Sequence, residues 1–261
     1  MSERDKILRY YRASGDDELA AKLLDLAEGV LRNRKYKVSE FLDPHGYSIA
    51  ETIGVHYERL ALAADGGFAG AERVKAAFID KDFLGKADFG LTALSITWDA
   101  RYYRLSHRDV LGALIGLGIK REVIGDIIMN SQGCQLVLDK SIAVFVAQHL
   151  TAVGAAPINV SQIALSDIAP REEKIKEIKT TVASLRLDVI AAAGFGVSRT
   201  RMTEEIAADK VKVNWQEAKS SAQSIKAGDI ISMRGRGRVE VCEILGLTKK
   251  GRTSVILKRF M

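Results

Sequence analysis

The 261-residue sequence contains few cysteines and histidines and no long apolar run. Its two cysteines, Cys134 and Cys242, lie far apart, which fits a reduced cytoplasmic protein better than a disulfide framework. The four histidines are scattered and share no metal-ligand spacing with them. No stretch of about 18 apolar residues would cross a membrane, and the charged N-terminus lacks a signal-peptide core. We therefore expect a cytoplasmic protein without a membrane segment, metal or cofactor.

Motifs of nucleotide-dependent enzymes are also missing. The Gly-Phe-Gly of residues 194–196 and the Gly-Arg-Gly of residues 235–237 lack the third glycine of a dinucleotide-binding loop, and no phosphate-binding loop ends in Gly-Lys-Ser/Thr. The most enzyme-like cluster is His107 and Asp109, with Asp126 further along. A surface histidine and an acid in the first turn of a helix account for this cluster without catalysis. We expect no enzymatic activity and no small-molecule substrate.

The charge is concentrated at one end of the chain. Residues 171–261 hold 19 Lys and Arg against 11 Asp and Glu, whereas residues 1–170 hold 20 against 22. The C-terminal third therefore accounts for all of the net charge of +6. A basic third on a near-neutral body is typical of a nucleic-acid-binding module on a carrier, and a solvated basic face without a partner is the alternative.

The hydrophobic pattern predicts an α+β protein that begins with a helical region at residues 1–70. Apolar residues from Leu19 to Leu31 recur at helical spacing, a turn is predicted at residues 43–46, and a further helix is predicted over residues 53–63. The basic residues among positions 32–37 are assigned to a helix end, where cations favour the dipole, with RNA contact as the alternative.

Residues 71–168 are predicted to form a ferredoxin-like (RRM-like) domain with the order strand, strand, helix, strand, helix, strand. The aromatic stacking motif of true RNA-recognition motifs is absent. A mixed-charge linker at residues 169–182, partly helical, precedes a C-terminal domain at residues 183–261. The predicted strands of the middle domain are 74–79, 91–98, 135–138 and 158–163, and the predicted helical segments are 106–118, 122–129 and 142–153.

Two short helical patterns joined by a tight turn lie within residues 184–214. Gly194 is predicted to end the first helix and Ser198 to cap the second. Arg199 and Arg201 then fall in the first turn of the second helix, where the helix dipole disfavours cations. Free backbone N–H groups beside arginines make a good phosphate site. Exchanging both arginines for Glu should therefore stabilise the helix slightly while weakening phosphate binding.

Five ordered anchor points run through this segment: Arg186-Leu187-Asp188, Gly194, Ser198-Arg199, Val211 to Asn214 and Gly228-Asp229. Together they resemble the small RNA-binding module named after ribosomal protein S-four. The resemblance implies an αα hairpin followed by a short twisted β-structure, with structured RNA bound on the basic face of the hairpin.

The sequence departs from that module at two positions where glycine is commoner. Asp209 tolerates the left-handed conformation that the position requires, so this departure is mild. Trp215 follows Asn214 and argues against an Asn-Gly hairpin turn there.

Arg234, Arg236 and Arg238 alternate with glycines between predicted strands at 230–233 and 239–245, and a last strand is predicted at 254–260. Glycine lets the backbone approach a ligand closely, while arginine reaches phosphates or stacks on bases. A solvated hairpin tip is the alternative. The candidate RNA-binding residues are Arg186, Ser198, Arg199, Thr200, Arg201, Lys210, Lys212, Asn214, Arg234, Arg236 and Arg238.

The segments Ser106 to Leu114, Leu117 to Ile127 and Val211 to Trp215, in this domain order, resemble the YlmH-type (photosystem-II S-four-type) RNA-binding proteins. That resemblance implies a bacterial or plastid protein that binds rRNA and peptidyl-tRNA on the large ribosomal subunit. Its role there would be ribosome-associated quality control, with a link to cell division. We expect a monomer whose partner is RNA rather than a membrane.

Two alternatives to this function stay open. The first is an RNA-modifying enzyme, pseudouridine synthase-like or methyltransferase-like, with an unrecognised site around residues 107–109 and Asp126. The second is an adaptor for division proteins that binds without RNA.

Overall fold

The computed structural model describes residues 3–169, 175–218, 220–249 and 251–260, and the chain divides into two compact units, residues 1–171 and 172–261. The first unit begins with three helices and three strands, in which β3 lies between β1 and β2 and runs antiparallel to both. These elements are α1 (Glu3–Arg12), α2 (Asp17–Asn33), β1 (Tyr36–Leu42), α3 (Pro44–His56), β2 (Leu60–Asp65) and β3 (Val74–Asp80).

This N-terminal region is not simply helical, so the prediction for it was wrong in part. The apolar run near Leu60 and Leu62 forms β2 instead of a helix, because a short run of this kind fits both the helical and the strand period. The strand predicted at 74–79 was assigned to the middle domain, yet as β3 it pairs with β1 and β2. Asp43 does not form a simple turn, because it caps α3 by accepting the Gly46 N–H at 2.8 Å.

Part of the basic cluster at residues 32–37 belongs to the end of α2, as predicted, because Arg32 lies in its last turn and Arg34 at its cap, whereas Lys37 lies in β1. Arg34 adopts a left-handed conformation with a φ of 57° and closes α2 by donating its backbone N–H to the Val30 carbonyl. The buried face of α2 then packs against α3 and β3 through Leu24, Ile53 and Phe78. Burial of this face supplies the main stabilisation of the region.

The second part of the first unit is a four-stranded antiparallel sheet with the strand order β5-β6-β4-β9. Its connectivity, βαββαβ, is the one described for ferredoxin-like domains, and the class assignment itself stays a prediction. One face of the sheet packs against both helices through residues such as Leu94, Leu114 and Val146. The elements are β4 (Leu91–Thr97), α4 (His107–Gly116), β5 (Ile124–Met129), β6 (Gly133–Asp139), α5 (Ala143–His149), the short hairpin β7 (Ala152–Val153) and β8 (Ala156–Pro157), and β9 (Asn159–Ile163).

The strand β5 replaces a segment that was predicted to be helical. The β5–β6 register shifts between Ile124 and Ile127, and both of these side chains join the same core. A bulge in a strand can place residues three apart on one face, which imitates the helical period. Local periodicity alone therefore led to the wrong element type.

The second unit combines a helical hairpin with a six-stranded antiparallel sheet in the order β10-β15-β14-β13-β11-β12. The prediction of a linker over 169–182 was wrong for residues 175–182, which form β10 and pair with β15, whereas residues 170–174 lie outside the described residues. The elements are β10 (Ile175–Val182), α6 (Leu187–Phe195), α7 (Arg199–Ala207), β11 (Val211–Val213), β12 (Gln216–Glu217), β13 (Ile230–Met233), β14 (Gly237–Leu247) and β15 (Thr253–Phe260).

The α+β class is confirmed, with helices and sheets in both units. The helices of the second unit bury Ile190, Phe195 and Met202 against sheet residues that include Val239 and Leu257. None of the described helices is long and apolar enough to span a bilayer.

Candidate RNA interface

Local capping fixes the helical hairpin of the second unit. Ser198 caps α7 as predicted, and its hydroxyl accepts the Arg201 N–H at 3.2 Å. The end of α6 differs from the prediction, because Gly196, not Gly194, takes the left-handed conformation at a φ of 66°. Gly194 lies inside the helix, where a Cβ would come within 2.6 Å of Val239, so its role is close helix–sheet packing.

Two of the candidate arginines converge on a buried carboxylate. Asp188 is only 2% exposed, and its carboxylate accepts from Arg186 at 3.0 and 3.1 Å and from Arg199 at 2.9 Å. Burial alone would raise the pKa of Asp188, but the hydrogen bonds from the two guanidinium groups outweigh it and hold that pKa below its ordinary value. Arg186 and Arg199 therefore support the fold as well as the surface.

The Arg199–Asp188 hydrogen bond argues against the prediction that exchanging Arg199 and Arg201 for Glu would stabilise the helix. At position 199 a Glu would place a second carboxylate beside Asp188, and this repulsion outweighs any gain from the helix dipole. Ser198, Arg199, Thr200 and Arg201 are all exposed, so they stay available to a ligand in solution.

A second group gathers around Glu205 on α7. Lys210 Nζ lies 2.8 Å from its carboxylate and Arg201 Nε lies 3.8 Å from it. The hydrogen bond from Lys210, with the nearby charges of Arg201 and Arg236, lowers the pKa of Glu205. One acid thus faces three cations, which leaves a positive excess at this edge of the hairpin.

The Arg-Gly segment forms the tip of the β13–β14 hairpin, where Met233 pairs with Gly237. Arg234 is exposed, and its backbone N–H donates to the Lys210 carbonyl at 2.9 Å, which ties the tip to the end of α7. Within the described residues, the side chains of Arg234 and Arg236 have no hydrogen bond or ion pair. Arg238 differs, because its guanidinium stacks over the Phe260 ring at 4.7 Å.

Asn214 stabilises a turn, in addition to its predicted role in RNA binding. Its side chain donates to Asp229 and accepts the Ile230 N–H, both at 2.9 Å. Asn214 and Trp215 have φ values of 50° and 66° and join β11 to β12 in a two-residue hairpin. The expectation that Trp215 would disfavour such a turn was wrong, because the Asn214 bonds fix the conformation despite its cost.

The predicted residues do not all lie on one side of the sheet. Lys212 pairs with Ser232, which pairs with Arg238, and directly paired residues share a face. The alternate residues, such as Val239, are buried in the core beneath the helices. Lys212 and Arg238 therefore lie on the face opposite the helical hairpin, apart from the groups around Asp188 and Glu205.

The enzyme-like residues of the first unit have structural partners. Asp109 forms a capping box with Ser106, and Asp126 accepts the backbone N–H groups of Glu72 and Arg73 at 2.7 and 3.2 Å. His107 is exposed, as predicted, and partial exclusion of water from its ring by neighbouring atoms, and after it the charge of Arg121, lower its pKa. Within the described residues, no group of three or more His, Cys, Asp or Glu side chains is arranged to hold a metal ion.

Comparisons with known proteins agree with this architecture. Residues 85–167 match the family model described as "Putative RNA-binding domain in YlmH", and residues 185–231 match the model of the S4 domain. A Bacillus subtilis (strain 168) protein, "Ribosome-associated protein quality control protein P2", is 33% identical over 227 residues, which cover 86% of this chain and 88% of that protein. A solved structure, "Cell division protein ylmH from Streptococcus pneumoniae", aligns with a TM-score of 0.51 at 21% identity, over 59% of this chain and 93% of that one.

The helical hairpin, the sheet beside it and the family matches define a protein of the RNA-binding class that carries a C-terminal S4 domain. The identity to the Bacillus relative extends through most of both chains. This chain belongs to the YlmH family of RNA-binding proteins, as the sequence resemblance indicated.

Proposed function

We propose that this protein binds RNA on the large ribosomal subunit, where it contacts rRNA and tRNA during quality control of stalled peptidyl-tRNA complexes. The observation that carries the proposal is the hairpin tip, where the side chains of Arg234 and Arg236 have no hydrogen bond or ion pair within the described residues. The charge of Arg236 also acts on Glu205 together with those of Lys210 and Arg201, so the positive excess continues from the tip to the edge of α7. The printed name of the Bacillus relative supports the ribosomal setting. The protein acts as a binder, because Asp109 and Asp126 are engaged in fold-supporting hydrogen bonds.

The test is co-sedimentation of the full-length chain with purified large ribosomal subunits, with and without nuclease. We expect the triple change of Arg201, Arg234 and Arg236 to Gln to weaken binding at least about tenfold, because charge-assisted contacts to phosphate are lost. A matched triple change of the exposed residues Arg9, Arg12 and Lys86 to Gln removes the same charge from the first unit and serves as control. Equal losses in both variants would contradict a localised interface.

A second measurement on the same complex distinguishes an RNA-binding protein from an RNA-modifying enzyme. The RNA recovered from the complex should be chemically identical to the input by mass spectrometry. A change of nucleoside mass that is abolished by replacing His107 or Asp126 would favour the RNA-modifying enzyme. Binding that survives complete removal of RNA would favour the protein adaptor.

A further inference from the structure

A depression of about 570 Å³ lies beside the Arg-Gly hairpin tip, lined by Gly235, Arg236, Gly237 and Arg259. Arg259 is not among the residues that sequence reasoning selected. The sequence does contain a signal for Arg259, because it lies two residues after Leu257 and four after Val255, and both of these side chains face the core. An arginine on the inward face of a strand requires a reason beyond solubility.

The guanidinium of Arg259 is only partly satisfied. One Nη1–H donates to the Phe195 carbonyl at 3.1 Å, and the group lies 5.7 Å from the Phe195 ring centroid. Its Nε is buried and has no hydrogen-bond partner among the described residues. No described carboxylate lies within ion-pair distance of it, although a half-buried cation without a counter-charge is unfavourable. The guanidinium of Arg259 can therefore bind an anion that the described part of the chain does not supply.

Two of the residues that line the depression are glycines. Gly237 has a φ of 83°, and a Cβ there would come within 2.4 Å of the Phe260 carbonyl oxygen. Gly235 also has a positive φ, 78°, at the tip itself. Backbone without side chains at both positions lets a ligand come close to the hairpin tip, and Arg236 lines the same depression.

We propose that Arg236 and Arg259 together bind one phosphate group of the RNA backbone in this depression. The inference rests on the proposed RNA-binding function and adds a contact in the β-extension, beyond residues 185–231 of the matched S4 domain. A planar guanidinium offers parallel N–H donors that fit phosphate oxygens, and two of them facing one depression give a site for a single anion.

The experiment is a titration of the full-length chain with purified large-subunit ribosomal RNA at several salt concentrations. Arg236→Gln should weaken binding about tenfold and reduce the magnitude of the salt slope by about 0.7–0.9, which corresponds to one lost phosphate contact. Arg259→Lys keeps the charge and should leave the slope unchanged but lose affinity, because the fork geometry is gone. Combined, the two changes should cost less than the product of their separate effects, since both arginines serve one phosphate.

Lys249→Gln is the matched control, because it removes one exposed charge at the opposite end of the β14–β15 hairpin. If Arg236→Gln binds the RNA with wild-type affinity and wild-type salt slope, the proposed phosphate site is wrong, while the proposed function stays intact. Loss of affinity only for an acidic protein partner, with RNA binding unchanged, would overturn it as well. If the wild-type chain fails to bind the RNA, both proposals fall.

Discussion

Two arginines inside the first unit and two at the hairpin tip of the second unit differ in their partners, although the residue type is the same. In the first unit, Arg73 donates to the carbonyls of Phe41, Arg121 and Ile124, and Arg121 donates to those of Ile124 and Gly125. Burial, with Arg73 beside it, lowers the pKa of Arg121 to about 10, so it stays charged at neutral pH. In the second unit, Arg234 and Arg236 have no such partners in the described part of the chain.

This difference shows that an excess of arginine does not itself locate an interface. A guanidinium that satisfies backbone carbonyls stabilises the fold, whereas an unpaired one at a loop tip is available to a ligand. Arg199 combines both roles, since it is exposed yet bonded to the buried Asp188. Changes to charged residues should therefore separate stability from binding according to their partners.

The largest effect is expected for Lys75→Met in the first unit. Lys75 is 5% exposed, contacts the Asp139 carboxylate and donates to the Phe89 carbonyl at 3.1 Å. Removing Lys75 leaves the Asp139 carboxylate without its counter-charge, although Asp139 is partly exposed and still accepts hydrogen bonds from Ser141. We therefore expect the free energy of unfolding to fall by about 3 kcal/mol, the lower end of the range for a buried ion pair. Urea unfolding followed by Trp98 fluorescence in a Trp215→Phe background measures this effect in the first unit.

Lys86→Met is the control for that experiment, since Lys86 is exposed, and its effect should stay within about 0.5 kcal/mol. RNA affinity should be unchanged in both variants. A loss below about 1 kcal/mol for Lys75→Met would mean that the buried cations of the first unit are less important than we infer.

An intermediate effect is expected for Arg199→Glu, compared with Arg201→Glu. The first places a carboxylate beside the buried Asp188 and should lower the free energy of unfolding of the second unit by about 2 kcal/mol. The second should change it by less than about 0.5 kcal/mol, because the gain from the helix dipole offsets both the lost contact with Glu205 and the weak i,i+4 repulsion that replaces it on the exposed helix surface. Trp215 fluorescence in a Trp98→Phe background reports on this unit.

RNA titration of the same two variants completes the comparison. Both should bind RNA more weakly, so only Arg201→Glu would separate binding from stability. Equal stability of the two variants would show that the Arg199–Asp188 bond contributes nothing measurable to the fold.

Much of the second unit could be predicted because its signals are local. Ser198 caps α7, Asp209 takes the left-handed conformation with a φ of 52°, and β13 occupies the predicted residues. The strand β10 was missed because its partner β15 lies far along the chain, and a charged edge strand gives little periodic signal.

The chemistry of the candidate site was less predictable than its location. The Arg199–Asp188 contact depends on how α7 packs beside α6, which no spacing in the sequence expresses. For the same reason, the sequence alone did not separate Arg238, which stacks on Phe260, from Arg236, whose side chain has no hydrogen bond or ion pair in the described part of the chain. The charge distribution along the sequence locates the basic C-terminal third of the chain, whereas tertiary contacts determine which of its arginines can bind a ligand.

The smallest effect is expected at Asp209, an exposed charge whose role is conformational. Its φ of 52° lies in the left-handed region that favours glycine, just after α7 ends. Asp209→Gly should raise the free energy of unfolding by about 0.5 kcal/mol, whereas Asp209→Ala, which removes the same charge, should lower it by about 1 kcal/mol. Thermal melting of the two variants measures the difference, and RNA titration should give equal affinities for both. If both variants melt alike, the charge of Asp209 rather than its backbone conformation determines the effect, and the left-handed position carries no measurable strain.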